Sequence, residues 1–344
     1  MAHPIFISAT SAPDAGADVA RQTSLTLARL GEKLRAVQSS LADAVAITVY
    51  LRDAADFAAM NDAYKQAWQA LPPTRTTVVT ELLARDALVE MSAVAVPGGT
   101  ERRLVHPPAW ATSPNPYSYG LRCGDTLFLS GLIARNGRDN SVVAGDVAVQ
   151  TRAVLDNARE LLDAAGLSLS HVVSARVLLT DLGSFDAMNR VYREYFPDAP
   201  PARATVGAAL TGPAYNVEMT FVASAASRRA IAGDGPSNPN LSAAITAGDT
   251  VYVSGLLADA AVVADGDATA QTLDILRKLD ALLGKAGASR AAVRDLLVYV
   301  TDEDAARTAV AACRDACGAA ATTPVRASLA MARARVEIMT IARP

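Results

Sequence analysis

The chain has 344 residues, of which 51% are hydrophobic, 19% charged and 5% aromatic, with a net charge of −3. That length suffices for two or three domains with sizeable cores, and the composition excludes an intrinsically disordered chain. No basic footprint and no aromatic-studded basic stretch is present, so nucleic acid is not an expected partner.

From the N-terminus, His3-Pro-Ile-Phe-Ile-Ser8 has neither the basic flank nor the long apolar run of a secretory signal. Pro4–Ser8 predicts a short strand instead. Asp18-Val-Ala-Arg-Gln-Thr23 opens a helical pattern, Val45–Leu51 reads as a strand, and Arg75 is followed by the pair Val89-Glu90. The same order of signals returns twice. Asp146-Val-Ala-Val-Gln-Thr151 leads to Val173–Leu179, Arg203 and Val217-Glu218, and Asp267-Ala-Thr-Ala-Gln-Thr272 leads to Leu296–Val300, Arg326 and Val336-Glu337. The copies lie about 120–130 residues apart, a domain period rather than a solenoid period. The expected domains are residues 1–97, 98–228 and 229–344.

The middle copy shows the plan most clearly. Arg102–His106 is a short strand, and the prolines at 107, 108, 114 and 116 mark a loop. Tyr117–Arg122 and Thr126–Ser130 flank a Cys123-Gly-Asp125 turn, which is a hairpin signal. Val147–Ala165 has helical apolar spacing, with Gly166 placed as its C-terminal cap. Val172–Leu179 is a strand, Phe185–Phe196 a second helix broken by Pro200-Pro201, and Arg203–Leu210 and Asn216–Ala223 the last strands. Strands, helix, strand, helix, strands predicts an α+β unit, one sheet with two helices on one face. Nothing before Pro4 supplies the first hairpin strands of copy 1, so that copy is expected to be truncated. The linker Pro97–Ser113, anchored by Trp110, is the nearest substitute.

Cys123, Cys313 and Cys317 are too few, and odd in number, for a disulfide framework, which points to a reducing cytoplasm. Cys313 and Cys317 share a helical face and read as small buried thiols, because no further metal ligands stand near them. The histidines His3, His106 and His171 have no triad or zinc spacing, so no metal is expected. No apolar run reaches the length of a membrane span.

With these strings in order, the middle copy resembles the RidA/YjgF family of reactive-intermediate deaminases. The resemblance rests on Pro116-Tyr-Ser-Tyr119, Phe128-Leu-Ser-Gly131, Gln150 through Gly166, Thr180-Asp181, Phe185-Asp-Ala-Met-Asn-Arg-Val-Tyr192, and Pro201-Ala-Arg-Ala-Thr-Val206 followed by Val217-Glu-Met219. The outer copies fit more loosely. The resemblance implies three tandem chorismate-mutase-like domains, each a mixed sheet with two helices on one face. It also implies clefts between domains that hydrolyse enamines and imines to ketones and ammonia, with no cofactor. Three fused domains close internally the ring that separate subunits would otherwise close, so a monomeric pseudo-trimer is expected.

Hydrolysis of a carboxylate-bearing imine needs a cation for the carboxylate and a group that moves protons. An arginine fork on a rigid strand suits the first role, and a glutamate on a nearby strand suits the second. By resemblance, Arg75, Arg203 and Arg326 take the carboxylate position, and Glu90, Glu218 and Glu337 the acid–base position. Only the middle copy also matches the family's cleft tyrosine, at Tyr117, together with the helix asparagine, at Asn189. The expected catalytic set is Glu218, Arg203 and Tyr117, with Asn189, Thr205, Ser130 and Gly131 completing substrate binding. Arg75, Glu90, Asn61, Arg326 and Glu337 then mark secondary or degenerate sites. Thr77, Thr205 and Ser328 stand where the family commonly has cysteine, and Leu241 stands near the tyrosine position of copy 3. Tyr119, Tyr192 and Tyr215 are expected to pack. A chorismatase-like hydrolase and a non-catalytic metabolite-binding module are the rival functions.

Overall fold

The computed structural model describes residues 3–68 and 70–344. In it the repeated hexapeptide is the start of a long helix in every copy: Val19–Arg35, Val147–Ala164 and Ala268–Lys285. Asp18, Asp146 and Asp267 are the N-caps. Each carboxylate accepts from first-turn N–H groups that have no partner within the helix; Asp146 accepts from Val149 at 2.9 Å.

The buried glutamine four residues on has a different task. Its Oε1 accepts from the backbone N–H of Leu88 (2.8 Å, Gln22), Asn216 (2.7 Å, Gln150) or Arg335 (2.7 Å, Gln271). Each of these residues lies two before a glutamate: Glu90, Glu218 or Glu337. The glutamine therefore fixes where the glutamate strand begins. Losing such a buried amide leaves a backbone donor unsatisfied, at a cost of about 1–3 kcal/mol.

Each copy has a four-stranded core with the same order. In copy 1 it runs Ile5–Ser11, Val89–Ala95, Ala44–Leu51, Thr74–Val79, named here the serine, glutamate, central and arginine strands. In copy 2 the equivalents are Thr126–Leu129 with Leu132–Ile133, then Val217–Ser224, Val172–Leu179 and Ala202–Gly207. In copy 3 they are Thr250–Leu257, Val336–Ala342, Val293–Val300 and Ala321–Arg326. The central and arginine strands are parallel, joined by a second helix: Phe57–Lys65, Phe185–Tyr195 or Glu303–Cys317. The apolar stripes of the helices bury Leu27, Leu30 and Met60 in copy 1, and Val154, Leu161 and Met188 in copy 2, against the sheet. Among the described residues no helix is long and apolar enough to cross a membrane.

Copy 2 extends its sheet with Arg103–Val105 and Gly120–Cys123, and copy 3 with Arg228–Ile231 and Ala244–Ala247, whereas the sheet of copy 1 ends at Ile5–Ser11. The linker does not fill that edge. Trp110 packs edge-on to Tyr119 at 5.0 Å and donates from Nε1 to Glu160 at 2.7 Å, so it belongs to copy 2. The aromatic surface of the second hairpin draws it there.

One latch repeats between copies. The backbone N–H of Arg75 donates to Ser130 Oγ at 2.9 Å, that of Arg203 to Ser254 Oγ at 2.8 Å, and that of Thr322 to Ser8 Oγ at 3.0 Å. Copy 1 thus engages copy 2, copy 2 engages copy 3, and copy 3 engages copy 1. Ser118 Oγ to the Pro72 carbonyl and Ser242 Oγ to the Pro200 carbonyl, both at 2.6 Å, reinforce the first two contacts. Each cleft is therefore built from the arginine strand of one copy and the serine and glutamate strands of the next.

Candidate active site

The cleft between copies 1 and 2 has a volume of about 150 Å³. Arg75, Thr77 and Phe57 enter it from copy 1, and Tyr117, Gly131 and Glu218 from copy 2. Arg75 is 5% exposed. Its guanidinium lies over the rings of Tyr64 (5.0 Å), Tyr117 (5.4 Å) and Phe57 (5.7 Å). Aromatic faces stabilise a cation but accept no full hydrogen bond, and Nη1 of Arg75 is buried without a partner. Burial pushes the Arg75 pKa down, while Tyr64, Tyr117 and Glu218 oppose the shift. A buried guanidinium with a free donor matches a carboxylate.

Glu218 is 5% exposed, on the strand Val217–Ser224. Its carboxyl group lies against the backbone of Gly131. A Cβ built on that glycine would overlap Oε1 and stand 2.9 Å from Cδ, so only glycine leaves room for it. Burial raises the Glu218 pKa to about 7, against the opposing pull of Arg176, the Thr77 backbone N–H and Arg75. A carboxyl group near neutrality can both accept and return a proton. Asn61 donates to Asn115 Oδ1 at 3.2 Å, and its own Oδ1 is buried without a partner.

The cleft between copies 2 and 3 is a variant of the first. Arg203 is 2% exposed, lies 4.5 Å over the Tyr192 ring, and donates from Nη2 to Asn189 Oδ1 at 2.7 Å. Nε and Nη1 of Arg203 and the Thr205 hydroxyl are buried without partners. Glu337 sits against Gly255 as Glu218 does against Gly131, with Cδ 2.8 Å from a built Cβ, and burial raises its pKa to about 8. Leu241, next to the latch residue Ser242, stands where the first cleft has Tyr117 beside Ser118.

The cleft between copies 3 and 1 has lost the site. Arg75 pairs across the sheet with Ile47, and Arg203 with Ala175, each the fourth residue of its central strand. The fourth residue of Val293–Val300 is Leu296, whose partner is Thr322. Arg326 lies four positions further along, opposite Val300, and forms an ion pair with Glu81 at 2.6 Å. The helix Glu303–Cys317 carries no tyrosine or asparagine to support a guanidinium. Ala9 stands where Gly131 and Gly255 stand in the other copies, and Glu90 has the Ala84 amide and Arg52 as its neighbours.

These placements correct the expected site. Glu218, Tyr117, Ser130 and Gly131 face Arg75, not Arg203, while Arg203, Asn189 and Thr205 face Ser254, Gly255 and Glu337. The reason is the sheet order: the serine and arginine strands occupy opposite edges of the four-stranded core, so no copy can bring its own pair together. Arg326 does not hold the arginine position: it lies 11 residues before Glu337, whereas Arg75 and Arg203 lie 15 before Glu90 and Glu218, and Thr322 is the residue that keeps the longer spacing. Tyr215, expected only to pack, lines the first cleft, and so does Arg135, which sequence reasoning did not single out. A cation five residues after Ser130, with Pro13 and Asp259 at that place in the other copies, was the available signal.

The family model described as Endoribonuclease L-PSP matches residues 6–97, 110–225 and 235–343. A RutC family protein of Sulfurisphaera tokodaii is 53% identical over 91 residues, 26% of this chain and 73% of the relative. Protein DfrA of Myxococcus xanthus is 39% identical over 124 residues, 36% of this chain and 95% of the relative. A 2-iminobutanoate/2-iminopropanoate deaminase of Dermatophagoides farinae is 32% identical over 108 residues, 31% of this chain and 84% of the relative. Among solved structures, the YjgF gene product of E. coli matches with 29% identity and a TM-score of 0.34, covering 36% of this chain and 98% of that one. The chain belongs to the Endoribonuclease L-PSP family, with RutC family proteins among its relatives, and carries its domain three times.

Proposed function

We propose that the chain is a cofactor-independent hydrolase of small carboxylate-bearing imines and enamines, with turnover in the cleft between copies 1 and 2. The observation that carries this is the buried Arg75 guanidinium, with an unpartnered Nη1, in one cleft with the Glu218 carboxyl group. Similarity to the 2-iminobutanoate/2-iminopropanoate deaminase of Dermatophagoides farinae supports the same class.

The substrate carboxylate binds the fork of Arg75, which fixes the imine carbon relative to Glu218. Glu218 takes a proton from water as its oxygen bonds to that carbon and passes that proton to the imine nitrogen, which gives a tetrahedral carbinolamine. On collapse to the 2-oxo acid, Glu218 takes the proton of the adduct's hydroxyl and delivers it to the departing nitrogen, which leaves as ammonia. Imines hydrolyse unaided, so positioning and a matched pKa suffice for a useful acceleration. The Arg203 cleft, with Asn189 already on its guanidinium and Leu241 in place of tyrosine, is a weaker site, and the Thr322 cleft is structural.

The test is ammonia release from 2-iminopropanoate generated in situ by an amino-acid oxidase. Wild-type protein accelerates it, and Arg75→Ala does not. No acceleration by wild-type protein would sink the proposal. The net charge of −3 weighs against RNA as the substrate.

A further inference from the structure

The first cleft holds a second cation. Arg135 lines it together with Arg75, with its guanidinium 5.5 Å over the Tyr215 ring and one N–H to the Asn140 carbonyl at 3.3 Å. Among the described residues no carboxylate forms an ion pair with it. Its backbone is fixed from behind by Asn157 Nδ2, which donates to the Arg135 carbonyl at 2.6 Å. The fold does not need an arginine here, since Pro13 and Asp259 occupy the same place in copies 1 and 3. Tyr117 lines the same cleft, with Arg75 over its ring at 5.4 Å. Two guanidinium groups against the single carboxyl of Glu218 leave the cleft with excess positive charge. A monocarboxylate on Arg75 would leave the Arg135 guanidinium without an anionic partner in contact.

We infer that this cleft selects 2-imino dicarboxylates, the imines of acidic α-amino acids, with the α-carboxylate on Arg75 and the distal carboxylate on Arg135. The inference rests on the proposed hydrolase site and names its substrate class. Such an imine is the product of a reaction that oxidises the amine of an acidic amino acid, which is the class of reaction that must supply it. Arg135 acts as a specificity residue: it touches the far end of the substrate and takes no part in proton movement.

The experiment has two arms. Turnover is measured on imines generated in situ from aspartate and from alanine by the corresponding oxidases, and affinity is measured by calorimetry with oxaloacetate and pyruvate. Losing a charge-assisted contact lowers the dicarboxylate-to-monocarboxylate ratio about 10- to 150-fold in Arg135→Leu, in both arms. Arg135→Lys, which keeps the charge but not the fork, restores part of the ratio. A role confined to supporting Tyr215 would lower both ligands together and leave the ratio unchanged, which overturns the inference. An Arg135-dependent affinity ratio without turnover would keep the ligand class and remove the hydrolase reading. Turnover with an unchanged ratio would do the reverse, and binding of neither oxo acid would overturn the inference.

Discussion

Gly131→Ala is the sharpest perturbation of the proposed site, because it acts on one carboxyl group through one atom. The added Cβ would overlap Oε1 of Glu218 and stand 2.9 Å from Cδ, well inside the roughly 3.5–4.0 Å of an ordinary carbon contact. The carboxyl must withdraw by more than half an ångström at Cδ and further at its oxygen. A general acid–base group so displaced forfeits its contribution, about 10²- to 10⁴-fold in rate. Folding should survive, since copy 1 already carries Ala9 at the same register. Gly255→Ala is the matched control: its Cβ would stand 2.8 Å from Cδ of Glu337, a near-identical clash in the other cleft. Ammonia release from 2-iminopropanoate, with thermal melting of both variants, separates damage to the site from damage to the fold. The expectation is a loss of kcat/KM for Gly131→Ala and turnover close to wild type for Gly255→Ala, with similar shifts in Tm. Wild-type turnover in Gly131→Ala, or equal losses in both, would refute the assignment of chemistry to Glu218.

The remaining predictions concern the arginines, pH and assembly. Arg75→Ala removes a charge-assisted carboxylate contact, about 1.5–3 kcal/mol of binding. Arg326→Ala removes only a partly exposed pair with Glu81, worth about 0–1 kcal/mol of stability, and leaves turnover intact in steady-state kinetics. Because Glu218 must be ionised to accept a proton from water, kcat/KM should rise with pH through about 7, and Glu218→Gln should abolish that limb. Burial raises Glu218, Glu337 and Asp295 to about 7, 8 and 7 from their ordinary values of 4.5, 4.5 and 3.8. Above about pH 4 the folded chain then holds protons that the unfolded chain has released, so the stability that these three groups contribute is fully present below about pH 4 and falls as pH rises to about 8. Thermal melts should show a lower Tm at pH 8 than at pH 5, and Glu337→Gln should flatten that slope; a Tm rising over the interval would contradict the burial of these groups. Sedimentation should give a monomer of 35.7 kDa, since all three latches are satisfied within the chain; an obligate trimer of chains would show that the closure is between molecules instead.

The repeat was legible because its signals are local. Asp146 caps a helix, and Gln150 is a buried polar residue at helical spacing; the alternating and β-branched runs such as Val172–Leu179 need no partner to be read as strands. Positive-φ Gly124 and Gly166 sit at the predicted hairpin turn and helix end. The residue types of the candidate site were legible too, in that an arginine, a glutamate, a tyrosine and the glycine of the Ser-Gly step line one cleft. What could not be read was which copy supplies which residue. That depends on the edges at which strands lie, and edge order follows from long-range pairing rather than from any window of sequence. The misplacement of Arg326 has a different origin. It lies 11 residues before Glu337 against 15 for the other two pairs, and that four-residue difference, present in the sequence, is the one the pairing of Leu296 with Thr322 displays.

The pattern of losses argues that the fused chain separates two demands that identical subunits must meet together. In a ring of identical subunits every cleft shares every residue, so a change that empties one site empties all three. Here the cleft between copies 3 and 1 lacks the strand arginine, its supporting aromatic, the helix asparagine and the glycine behind the glutamate. Ser8 nevertheless still accepts the Thr322 N–H at 3.0 Å, as Ser130 and Ser254 accept from Arg75 and Arg203. The latch is kept where the site is not, as expected if the contacts between copies depend on all three latches while the proposed chemistry needs one complete cleft. It follows that Ser8 and Ser130 differ in kind. Loss of either hydroxyl should weaken the contacts between copies, but of the two only Ser130 holds the backbone of a strand whose arginine lies in the proposed site. The wall that carries Arg135 is then free to specialise, since no second cleft has to tolerate the same cation.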